Sequence, residues 1–86
     1  MIVLQGTQVA CGANTGAAST FGGASAVRLF NSGTAVRLIT LERPDGTDIG
    51  TISLNAKAEI TLRKSPSDKI FAASAEVLGV AVGFSY

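Results

Sequence analysis

The chain has 86 residues, 47% of them hydrophobic and only 15% charged, with seven Lys or Arg, six Asp or Glu and no histidine. A single small domain of net charge +1 lacks the basic footprint of a nucleic-acid binder and the polybasic cluster of a membrane anchor. No Ser–His or Cys–His nucleophile exists, and the lone Cys11 rules out both an internal disulfide framework and a Cys-rich zinc site.

Residues 1–10 read as one or two short strands carrying Ile2, Val3, Leu4 and Val9. Met1 is followed by Ile-Val-Leu-Gln-Gly, with no charged n-region and no long apolar stretch, so the expectation is synthesis in the cytoplasm without a leader. The longest apolar runs last a few residues, against the ~20 needed to span a bilayer as a helix. Residues 11–25 are almost wholly small and flexible, and predict a loop or extended arm with Phe21 as its one large anchor. Cys11 reads either as a buried reduced thiol or as half of a bridge between chains.

From residue 26 onward the pattern is a run of strands. Residues 26–31 and 34–42 flank Ser32-Gly33, which reads as a two-residue hairpin turn. That register sets Asn31 opposite Thr34, Leu29 opposite Val36 and Val27 opposite Leu38. It also sets Arg28 directly across from Arg37, on a face shared with Phe30, Ile39 and Leu41. Opposed like charges are destabilising. Two readings follow: the guanidiniums splay into solvent or pair with Glu59 or Glu42, or an acidic group of a neighbouring chain lies between them.

Arg43-Pro44-Asp45-Gly46-Thr47 predicts a tight turn into a strand over 48–54: Pro fixes φ, and Gly accepts the left-handed position. Asn55-Ala56-Lys57 turns into 58–64, where Ala58, Ile60 and Leu62 alternate with Glu59, Thr61 and Arg63. Ser65-Pro66-Ser67-Asp68 ends that strand, because Pro cannot donate to a ladder. Extended structure resumes over 70–74, and 75–79 reads as a helical turn or a loop. A last strand over 80–86 puts Val80, Val82, Phe84 and Tyr86 on one face, for a core or an interface. Ala81, Gly83 and Ser85 form a small-residue face that another backbone can approach. The sum is an all-β domain over 1–86: a small antiparallel β-sandwich or barrel, hairpin-rich, of about seven strands.

Chemistry is sparse. Asp45 and Asp48 with Thr47 form the densest acidic cluster, but no calcium-loop motif surrounds them, and turn chemistry accounts for them. The glycines at 12, 16, 22 and 23 lack the Lys-Ser/Thr and the strand-to-helix context of a phosphate loop. No catalytic residue, cofactor or metal ligand is expected, and the chain reads as a non-enzyme. Its charge content falls below the about 25% of an ordinary soluble domain. That low charge points to a surface covered by neighbouring subunits. The expected interface residues are Phe21, Arg28, Phe30, Arg37, Ile39, Leu41, Val82, Phe84 and Tyr86.

Three elements carry a resemblance over about residues 26–82. They are Val27-Arg28-Leu29-Phe30-Asn31 before its short turn, the Pro44-Asp45-Gly46 hairpin, and Ile52-Ser53-Leu54 followed by the strand at 59–63 and Lys64-Ser65-Pro66-Ser67-Asp68-Lys69-Ile70. In these the chain resembles small virion β-sandwich proteins of tailed phages, marine ones in particular, of the capsid decoration or cement type. The resemblance implies a structural subunit that binds the major capsid protein or other virion proteins, repeated as a homo-oligomer or lattice, with no nucleic acid and no membrane. Localisation would be the virion, after synthesis in the host cytoplasm. A tail, fibre or connector component, or a small adhesin or carbohydrate-binding module, are the alternatives. The adhesin is disfavoured by the absence of Trp and the single Tyr.

Overall fold

A computed structural model describes residues 2–84. It is all-β: β1 (Ile2–Leu4), β2 (Val9–Ala10), β3 (Ala26–Asn31), β4 (Arg37–Glu42), β5 (Asp48–Leu54), β6 (Glu59–Arg63), β7 (Lys69–Ala72) and β8 (Val77–Phe84), with one 3-10 turn at Thr15–Ala17. The strands form two antiparallel sheets. In the larger, β8 is central, flanked by β1 and β2 on one side and by β3, then β6, on the other. The smaller has the order β5-β4-β7. The sandwich is thus the form adopted.

Period-two alternation builds the core between the sheets. In the larger sheet Val27 lies beside Leu62 and Ala81, and Leu29 beside Ile60 and Gly79. In the smaller, Ile39 lies between Ile52 and Ala72, and Leu41 between Gly50 and Ile70. Val27, Leu29, Ile39, Leu54, Ile70, Ala72, Val77 and Cys11 are buried together. Ala26, Val80 and Val82 form a second buried cluster.

The predicted hairpin between residues 26–31 and 34–42 does not form. β3 pairs with β6 and β8, whereas β4 pairs with β5 and β7. The cause is Asn31. Its Nδ2 donates to the carbonyls of Ala35 (2.7 Å) and Leu54 (3.0 Å), and its Oδ1 accepts from the Gly33 amide (3.0 Å). These three bonds fasten the end of β3 to the crossing and to β5 of the opposite sheet. Facing apolar alternation is shared by strands paired in one sheet and strands packed across a sandwich, so the pattern did not distinguish them. Val36 and Leu38, expected to face Leu29 and Val27, are exposed instead.

Residues 11–25 are mostly irregular, a loop fastened to the sheets at several points. Ser19 and Ile70 exchange both backbone hydrogen bonds, and the Ala72 amide donates to the Gly12 carbonyl. The segment therefore covers the outer edge of β7. Cys11 donates its amide to the Val77 carbonyl at 2.8 Å, and Phe21 packs on the core. Phe21 takes φ +53°, a left-handed value uncommon outside glycine. Residues 77–79, left open between helical turn and loop, are the start of β8.

The 43–47 turn forms as expected. The Arg43 amide donates to the Thr47 carbonyl at 2.8 Å, and Gly46 sits at φ +90°. Asp45 Oδ1 accepts from the Thr47 amide at 2.9 Å; that bond, then the Thr47 side chain, holds the carboxyl below the usual carboxylate range. The 65–68 turn also forms: the Asp68 amide donates to the Ser65 carbonyl at 3.0 Å. Lys64 folds over it, Nζ donating to the Ser65 and Pro66 carbonyls at 3.3 Å each. Burial lowers the Lys64 pKa, and nearby Asp68 opposes the shift. The Lys-x-Pro-x-Asp segment is thereby explained as a self-capped turn.

Candidate interface surfaces

The expected interface residues do not form one patch. Arg28 and Phe30 lie on the outer face of the larger sheet, whereas Arg37, Ile39 and Leu41 point inward from the smaller. Arg28 and Arg37 therefore do not oppose each other. Arg28 pairs with Glu59 across the β3–β6 ladder, its guanidinium 5.8 Å from the centre of the Phe30 ring. Arg37 pairs with Glu76 at 2.5 Å. Each arginine finds its carboxylate within the chain. Of the two carboxylates named from the sequence, Glu59 is the partner of Arg28. Ile39 and Val82 are fully buried in the chain's own clusters, and Phe21 and Leu41 pack against the main core. Phe84 enters as the last residue of β8, and Tyr86 lies outside the described residues.

What the smaller sheet does present is apolar. Val36 is 57% exposed, Leu38 45%, Ile49 44% and Ile52 41%. Where β5 and β6 should close the sandwich, a cleft of about 200 Å³ stays open, lined by Ile39, Leu41, Ile49, Gly50, Thr51, Ile52 and Leu62. Its lining offers side-chain hydroxyl only at Thr51 and no charge. Leu4, at 69%, and Val9, at 51%, are exposed on the far edge of the larger sheet.

Sequence reasoning missed Val36, Leu38, Ile49 and Ile52, and one signal was readable. Ile49 and Ile52 are three residues apart in a strand whose period is two. Such a break marks a β-bulge. The register indeed shifts there: Leu41 aligns with Gly50 and Glu42 with Asp48, leaving Ile49 extra.

Among the described residues no group of three or more Cys, Asp or Glu is placed to hold a metal ion. Cys11 is buried, and desolvation pushes its thiol up to about 11, so little thiolate forms near neutral pH. Among the described residues no helix is long and apolar enough to cross a membrane. Comparison with known protein families, curated proteins and solved structures found no match.

Proposed function

We propose that the chain is a non-enzymatic structural subunit of a phage virion, decorating or cementing an assembled capsid. The observation that carries this reading is the apolar exposure of the smaller sheet on both sides, Ile49 and Ile52 at the open cleft and Leu38 on the opposite face, with Val36 just before β4. Half-exposed apolar side chains favour an interface, since burying what remains of each gains on the order of 1 kcal/mol. The low charge of the whole chain supports repeated contact on several sides. The sequence resemblance over residues 26–82 narrows the class of assembly to a phage particle. The subunit would work by mass action: bound copies stabilise the shell, and the shell stabilises their fold.

The test is cosedimentation of the purified chain with empty shells assembled from a tailed-phage major capsid protein. Saturable binding at a fixed number of copies per shell, with a raised shell melting temperature, is the expected result. No binding to shells, together with binding on a glycan array, would replace this reading with the adhesin.

A further inference from the structure

The sheets have edges of very different kinds. The β7 edge is covered by the segment carrying Gly12 and Ser19. The β6 edge strand carries Glu59 and Arg63, charges of the sort that discourage edge-to-edge pairing. Beyond Asp48 and the bulge at its start, the β5 edge has neither protection. Residues 49–55, Ile-Gly-Thr-Ile-Ser-Leu-Asn, contain no charge and no proline. Among the described residues β5 pairs with β4 alone.

The ladder fixes which backbone groups that edge offers. The Ala73 amide donates to the Leu38 carbonyl, so Leu38 and Thr40 direct their backbone groups toward β7. Arg37, Ile39 and Leu41 then face β5, and engage the backbone groups of Leu54, Ile52 and Gly50. Thr51 and Ser53 are left with amide and carbonyl pointing outward, and Ile52 between them turns its side chain to the cleft.

We propose that this edge pairs with β5 of a second copy of the chain, antiparallel about a two-fold axis at Ile52. In that register Thr51 of each copy faces Ser53 of the other and exchanges both backbone hydrogen bonds, four in all. Their hydroxyls meet on the outer face, a favourable cross-strand combination. Ile52 meets its own copy at a non-hydrogen-bonded position, where side chains approach most closely. Gly50, beside which a Cβ would find no atom within 4 Å, lets the backbone at Leu54 of the other copy approach closely. The bulge at Ile49 ends the ladder. A second copy is the occupant because residues 49–55 carry no charge, so pairing the segment with itself about that axis opposes no like charges at any position. The result is a continuous six-stranded sheet with the two clefts meeting across the axis. Self-pairing requires no shell, so it stands or falls apart from the virion reading.

The experiment is sedimentation equilibrium of the wild-type chain across its soluble concentration range, beside Thr51→Pro. Because the Thr51 amide points away from β4, proline there removes a bond to the partner and none within the fold. The wild type is expected to show a dimer, and Thr51→Pro to keep the far-ultraviolet dichroism while its dissociation constant rises at least ~tenfold. A second arm does not depend on that variant. In a Cys11→Ser background, Ile52→Cys is expected to oxidise to a covalent dimer. The Cα atoms there stand about 4.5 Å apart, within disulfide reach. Thr51→Cys is expected not to crosslink. A wild type that stays monomeric throughout overturns the proposal. So does a dimer unaffected by folded Thr51→Pro, or crosslinking through Thr51→Cys in place of Ile52→Cys.

Discussion

The ring of Phe21 stands where a side chain at Gly79 would be: a Cβ on Gly79 would lie 2.6 Å from Cε1 and 2.7 Å from Cζ of that ring. Leu29 Cδ2, at 3.2 Å, closes the other side. Gly79→Ala should therefore overpack the core and cost about 1–3 kcal/mol in urea unfolding. The same substitution in a Phe21→Ala background should cost much less, because the clashing ring is gone. Equal costs in the two backgrounds would mean that Phe21 does not dock on β8.

Asn31 is a stitch between sheets, and its loss should be expensive. Asn31→Ala strips partners from the Ala35 and Leu54 carbonyls and the Gly33 amide. About 2–4 kcal/mol is expected from chemical denaturation. Asn31→Asp keeps the acceptor for Gly33 but aims an oxygen at two carbonyls, and should be no milder at neutral pH.

Cys11 supplies a pH signature. Its folded-state pKa lies above the ordinary 9.0, near 11, through desolvation. Its contribution to stability is thus complete below pH 9.0 and is lost as the pH rises through about 11. The two-unit difference corresponds to at most about 3 kcal/mol. Cys11→Ala should flatten this alkaline loss, read as unfolding free energy at successive pH values. A disulfide exchange reagent at pH 8 should label the folded wild type only as fast as the protein opens.

Glu76 ties β4 to the end of β3. Its carboxylate accepts from Arg37, and its backbone carbonyl accepts from the Ser32 amide at 3.0 Å and hydroxyl at 2.6 Å. Both charged partners are partly exposed, so Glu76→Gln should cost only about 0.5–1 kcal/mol. The difference from wild type should shrink in high salt. A large, salt-independent loss would place the pair in a far drier setting.

Strand positions were readable because alternation and turn chemistry are local. Ala58, Ile60 and Leu62 announce β6, and Pro44-Asp45-Gly46 announces the β4–β5 hairpin. Strand partners were not, since inward residues look alike whether their neighbours lie beside them or opposite. The decisive atoms sit on Asn31, a residue that read as an ordinary turn flank. Segment 11–25 reads as a loop or arm because small residues signal flexibility, but its anchoring was not readable: Gly12 and Ser19 spend their backbone groups on β7. The apolar surface stayed hidden because exposure depends on which strand ends as an edge, a property of topology.

That topology also sets the order of folding. From β3 onward the chain changes sheets at every connection except the β4–β5 hairpin. β8, the last strand, is the one on which β1, β2 and β3 all depend. During synthesis the larger sheet has no centre until residues 77–84 have left the ribosome, so β3 must wait with only β6 for company. Such non-local pairing makes folding slow, on the order of milliseconds to seconds. The β4–β5 hairpin is the most local pairing of the fold and would form during that delay, so crowded nascent chains would meet each other first along the uncharged residues 49–55.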